Sequence, residues 1–195
     1  MEKEPRYNLD IATAEQKEKI KEIATLRIGA GIKAELILVL LGVKNATELT
    51  VNTWNDPPEK VEGVLADSKL IFKKITFNKE NKNVLSSYTI SLTQEKADKL
   101  AEVDGLEDHQ AVGELYSFPQ TAIDAFVNST KLELEDYPDM KGIIFLFALS
   151  KDHWQEEVEL LKYWSQLIEK YAPELFVELG GKKYPPEADQ PLAGK

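Results

Sequence analysis

The sequence predicts an α+β domain with a mixed or antiparallel sheet of about four strands, packed with helices, the longest of them C-terminal. Three observations lead there. Two runs, 69–77 and 84–92, show strand character on either side of the polar break 78–83. The run IIFLFAL at 143–149 is unbroken apolar, with β-branched and aromatic side chains, as expected of a central strand buried on both faces. Beyond it, Trp154, Val158, Leu161, Trp164, Ile168 and Tyr171 recur at helical spacing and make one wide apolar stripe that should pack on the sheet.

Each element has a local reason. Thr13-Ala14-Glu15-Gln16 is a capping box, so a helix starts there and runs on through Ile20, Ile23 and Ala24. Gly29 and Gly31 interrupt it, and the apolar run 33–41 ends at Gly42, a helix stop. A helical region over 13–42 is the expectation, with a strand as the alternative for 33–41. Residues 46–53 read as a first strand, and Asn55-Asp56-Pro57-Pro58 then opens a short helix to about Asp67. In 84–92, Val84, Ser86, Tyr88, Ile90 and Leu92 alternate with Leu85, Ser87, Thr89 and Ser91, which predicts a hairpin with one buried face. Thr93-Gln94-Glu95-Lys96 opens a helix that turns Ala97, Leu100 and Val103 inward and stops at Asp104-Gly105. Two short helices flank Pro119. Ser150 is the expected cap of the long last helix, which Pro173 ends. Residues 1–179 therefore read as one domain, and 180–195, rich in Pro and Gly, as a mobile tail.

Composition excludes several function classes. There is no cysteine, hence no disulfide, thiolate nucleophile, zinc–thiolate cluster or iron–sulfur site. The longest apolar stretch, 36–41, is far below the roughly 20 residues needed to span a bilayer. A charged N-terminus without an apolar run gives no export signal, so the expected location is the cytoplasm and no membrane partner is expected. The net charge of −10 disfavours general affinity for nucleic acid. Against that trend, residues 69–83 hold Lys69, Lys73, Lys74, Lys79 and Lys82 beside the single acid Glu80. Only Arg6 and Arg27 are arginines, which weakens any case for bidentate phosphate or base recognition.

Candidate chemistry is sparse. His109, oriented by Asp108 and accompanied by Glu114, is the candidate general base of a hydrolase-like site. His153 and Glu157, four apart on a helix, could supply two ligands to a divalent metal, the one cofactor the sequence allows. Each has a structural alternative: a capped helix start for the first, solvated first-turn acids for the second. Lys73, Lys74 and Lys79, interleaved with Phe72, Phe77 and Tyr88, are the candidate contacts for single-stranded nucleic acid. The strand period sends Lys73 and Lys74 to opposite faces, against that reading. No Walker pattern, GxSxG or HExxH is present. The favoured expectation is a non-catalytic module with a protein partner, the rival a metal-assisted or hydrolase-like enzyme using His109 and His153.

The stretch His109-x3-Gly113-x-Leu115-x-Ser117-Phe118-Pro119, with the helix ending at Ala125-Phe126, resembles a prokaryotic domain family of unknown function best known from archaea. That family carries a histidine and Gly-x-Leu ahead of a Gly-Tyr-Pro-x-Cys-Cys motif. Leu40-Leu41-Gly42-Val43-Lys44-Asn45-Ala46 and the order of apolar strand, Ser150 and an acidic helix with Trp164 are similar to it too, so the resemblance spans about 35–175. Here Ser117 and Phe118 stand for the glycine and tyrosine, and Thr121 and Ala122 for the cysteines, so any thiol chemistry the motif implies is absent. The residues left at the site are His109, Glu114, Tyr116, Pro119 and Thr121. The stretch itself reads as a corner: Gly113 for close approach, Pro119 to start a helix, Ile123 and Phe126 for the core.

Overall fold

Thr13 starts the first helix by a reciprocal cap: its Oγ1 accepts from the Gln16 amide at 3.2 Å and Gln16 Oε1 accepts from the Thr13 amide at 2.9 Å. The structure, a computed structural model, describes residues 7–52, 55–80, 83–103 and 108–180, with side chains omitted over 76–80 and 83–85. The expected tail lies, from residue 181 on, outside the described residues, as does the Asp104-Gly105 stop. Helix α1 (Ala14–Thr25) is followed by α2 (Ala30–Leu40), β1 (Ala46–Val51), α3 (Pro58–Asp67), β2 (Ile71–Glu80), β3 (Asn83–Ser91) and α4 (Gln94–Val103). Then come α5 (His109–Leu115), α6 (Gln120–Val127), a 3₁₀ turn (Leu134–Asp136), α7 (Trp154–Tyr171) and α8 (Pro173–Gly180). No described helix is long and apolar enough to cross a membrane.

The architecture is α+β, and α2 is its centre. Leu36, Ile37, Leu38 and Val39 are fully buried, so this helix is apolar on all sides and must be covered on all sides. The sheet covers one side through β1 and β3, and α1, α7 and α8 pack on the others. Gly42, at φ +74°, supplies the left-handed residue that ends the segment and turns it toward β1.

Among the described residues the sheet has three strands in the order β1-β3-β2, both pairings antiparallel, with an irregularity between Lys74 and Thr76. The hairpin is as the alternation predicts, except that β3 is central and buried on both faces. Tyr88 and Ile90 enter the main core, while Thr89 turns to α4 and donates from Oγ1 to the Ala97 carbonyl at 2.8 Å.

The run 143–149 is the main correction. It is extended and not laddered into the sheet. Ile143, Phe145, Phe147 and Leu149 are buried, while Ile144, Leu146 and Ala148 are half-buried. Among the described residues its backbone is anchored only near its ends. The Ile144 amide donates to Ser165 Oγ at 3.1 Å and the Leu149 amide to the Tyr137 hydroxyl at 3.1 Å; Leu132 donates to the Leu149 carbonyl at 2.7 Å. The apolar run specified burial and extension, but no partner strand.

Two smaller corrections follow at the C-terminal side. Helix α7 begins at Trp154, after His153, so Ser150 does not cap it; the Ser150 hydroxyl instead accepts from the His153 amide at 3.0 Å. The apolar stripe of α7 packs on α2 and α8 rather than on the sheet.

Asp56 ties the α1–α2 joint to α3. Its carboxylate accepts from the Arg27 amide and from Lys60 Nζ, both at 2.8 Å, and from Arg27 Nε at 3.2 Å, while its own amide donates to the Arg27 carbonyl at 3.0 Å. The Arg27 amide first, and Lys60 next, hold its carboxyl down to about 2 from an ordinary 3.8. A depressed folded-state pKa means that Asp56 contributes stability above 3.8 and loses it as pH falls through about 2. Urea unfolding across that window should show a stability loss that Asp56→Asn makes shallower, with the variant less stable at neutral pH.

Candidate functional site

The stretches 40–46 and 109–126 meet in space. Asp108 caps α5 by accepting from the Ala111 amide at 3.0 Å. Gly113 lets α5 and α6 touch: a Cβ there would lie 2.7 Å from the Ile123 side chain. Ser117 sits at φ +61°, which reverses the chain before Pro119 opens α6. The Ser117 hydroxyl accepts from the Asn45 amide at 2.7 Å, and Asn45 Nδ2 donates to the Glu114 carbonyl at 3.0 Å. The corner is therefore pinned to the entry of β1.

Beneath this corner lies a buried charge. Lys44 is 3 % exposed; its Nζ pairs with Glu35 and sits 5.0 Å from the Trp164 ring centroid, 5.4 Å from Tyr116 and 5.6 Å from Phe118. Burial pushes the Lys44 ammonium below its ordinary pKa, and Glu35 pulls it back. Three aromatic faces and one carboxylate replace the water that the cation has lost.

A second polar knot joins α6 to α7. Glu157 is 1 % exposed and accepts from Thr121 Oγ1 at 2.6 Å, the Ser150 amide at 2.7 Å and Ser150 Oγ at 2.8 Å. Thr121 thus holds α6 to α7.

Between α5, α6 and the segment 143–149 runs an apolar groove of about 300 Å³. Val112, Phe118, Ile123, Phe126, Leu146 and Ala148 line it, and the exposed His109 lines it too, its ring centroid 5.0 Å from that of Phe126 with the ring planes at 79°. Phe126, expected in the core, is 43 % exposed, and Lys131 Nζ lies 5.1 Å from the centroid of its ring.

The residues singled out from sequence are not gathered in one place. His109 is exposed at the groove, and Glu114 is exposed on α5, where its carboxylate accepts from Gln110 at 2.7 Å. His153 is exposed beside a separate hollow lined by Asp124, Ala125 and Asn128, on the flank of α6 away from the groove. Glu157 faces the core, so it does not share an open face with His153. Among the described residues no group of three or more His, Asp and Glu could hold a metal ion. Lys73 pairs with Asp98 at 3.1 Å and Lys74 with Glu62 at 3.3 Å, so both charges are locally answered; the Lys79 side chain lies outside the described residues. Sequence reading missed Glu35, Lys44 and the Thr121–Glu157–Ser150 knot. The available signal was one glutamate inside the largely apolar α2 and one lysine just beyond its end, two charges with no period of their own.

Comparison with models of known protein families, with curated proteins and with solved structures finds no match to this chain.

Two stability experiments test these assignments. Glu35→Ala leaves Lys44 buried without its partner and should cost about 3 kcal/mol, whereas the double change Glu35→Gln with Lys44→Met should recover most of that loss. Equal losses in the single and double variants would refute the coupling. Glu157→Gln puts an amide where three donors converge and should cost about 2 kcal/mol, seen as a melting temperature about 4–8 °C lower. An unchanged melt would mean that the knot contributes nothing.

Proposed function

We propose that the protein is a non-catalytic binding module of the cytoplasm whose binding surface is the apolar groove between α5, α6 and residues 143–149. The observation that carries this reading is an open, largely apolar hollow of about 300 Å³, rimmed by the exposed ring of Phe126. Hollows of that size and lining, with one or two polar groups at the mouth, are what binding sites for apolar groups look like. His109 supplies the polar group: no interaction occupies its ring nitrogens among the described residues, and its ring stands against Phe126. The wall residues also differ from those that hold the fold. Lys44, Glu35 and Glu157 are engaged below the surface, whereas Phe126, Leu146 and Ala148 keep part of their surface for something else. The cysteine-free sequence fits a reducing compartment.

The test uses 1-anilinonaphthalene-8-sulfonate, an aromatic probe that fluoresces when taken into an apolar site. Saturable fluorescence at neutral pH, in protein that still melts cooperatively, should be abolished by Ala148→Trp, which fills the groove. Phe126→Ala should weaken it, while Lys73→Gln with Lys74→Gln should leave it unchanged. Probe binding indifferent to Ala148→Trp would sink the reading.

A further inference from the structure

We infer that the groove receives an extended peptide from a protein partner, which adds as a strand to residues 145–148 and carries an acidic residue at the end near Lys131. This rests on the groove being the binding surface and says what fills it.

The first support is an unfilled hydrogen-bonding requirement. Backbone amides and carbonyls in apolar surroundings are almost always paired. Residues 143–149 are extended, and their amides at 143, 144 and 149 and the carbonyl at 149 are bonded. From Phe145 to Ala148, by contrast, no backbone group has a partner among the described residues. Such a row of unpaired groups on an extended chain is the template that strand addition uses. A rounded apolar molecule could occupy the groove but would leave these groups unpaired.

The second support is the shape of the space. Helices α5 and α6 form the wall opposite Leu146 and Ala148. A second copy of this protein offering its own 145–148 would bring its own α5 and α6 into the same space. The lining is apolar, so the inserted strand presents apolar side chains toward Val112, Phe118 and Phe126.

Charge sets the polarity of the peptide's end. Lys131 bridges to Ser150, just beyond the open stretch, and its ammonium lies over the Phe126 ring with no ion-pair partner among the described residues. None of the residues lining the groove is an acid that could answer it. An acidic residue arriving at this end of the slot would meet a cation that is otherwise unanswered.

The experiment has two stages, both on the full chain. Hydrogen exchange on the free protein should find the amides of Phe145–Ala148 exchanging much faster than those of α2. Slow exchange at every protein concentration would mean that the chain already covers this edge, and slow exchange only at high concentration would mean that a second copy does; either overturns the proposal. A phage-displayed library of random eight-residue peptides is then selected on the wild type and counter-selected on Ala148→Trp. Selected peptides should alternate apolar residues, carry an acid at one end, lose affinity on Lys131→Gln and slow exchange at 145–148. N-methylation of alternate peptide amides should weaken binding at least tenfold, and of the intervening ones much less. Peptides that bind in the groove regardless of N-methylation would overturn strand addition and leave the groove reading standing. So would failure to select any peptide while the fluorescent probe still binds. If neither peptide nor probe binds, both readings fall.

Discussion

Burying α2 on every side is the constraint on which the remaining structure depends. A helix with Leu36, Ile37, Leu38 and Val39 all sealed has no face to give to water, so the chain must wrap it. Three strands suffice for one side, and the others fall to α1, α7 and α8. Its termini need satisfying as well, since the last carbonyls of a helix have no partner within it. Gln16, already half of the α1 capping box, donates from Nε2 to the Leu40 carbonyl at 2.7 Å. One side chain thus serves the start of α1 and the end of α2, fixing the two helices against each other.

Wrapping a helix completely also encloses the charges beside it. Lys33 reaches the Ala24 carbonyl at 3.3 Å and Glu178 at 3.5 Å, and Lys44 turns to Glu35 and three rings. The second solution has structural reach. Trp164 comes from α7, while Tyr116 and Phe118 come from the α5–α6 corner, so one ammonium draws elements distant in sequence to the entry of β1. Asn45, the next residue, does the same with hydrogen bonds, its side-chain oxygen accepting from Lys96 at 2.6 Å and its carbonyl from Ser91 Oγ at 2.7 Å. The corner that draws attention in the sequence is therefore held by Lys44 and Asn45, far from it along the chain.

What the sequence made legible was what local chemistry decides. The capping box at Thr13, the proline start of α3, the hairpin and the Asp108 cap all depend on residues within a few positions of one another, and all are present. The groove's wall was partly legible too, since Gly113 announces a close approach. Phe126 was misplaced because a helix of eight residues, Gln120–Val127, gives too little period to separate an inward position from a rim. The run 143–149 was misassigned for a different reason. Apolar composition reports the loss of water and is silent on which backbone, if any, lies alongside. Glu157 was read as a metal ligand or a solvated first-turn acid, because a glutamate in a first helical turn is expected on electrostatic grounds alone and nothing local reveals that Thr121 and Ser150 converge on it.

The two flanks of α6 then explain why a hollow exists at all. On one flank Thr121 is locked to Glu157, so the start of the helix cannot slide toward the segment 143–149. On the other, Gly113 against Ile123 brings α5 as close as two helices allow, so that flank cannot close by moving α5 inward either. Phe118, which ends the corner, is kept low by Lys44 and by the Phe147 ring, 5.1 Å between centroids. With its first turn fixed in this way, α6 bridges over Leu146 and Ala148 instead of collapsing onto them. Small residues at 122 and 148 leave the space beneath unfilled, where larger side chains would have packed it. The apolar hollow is thus a consequence of polar anchors placed around it, and its walls are set by interactions that a ligand would not have to disturb.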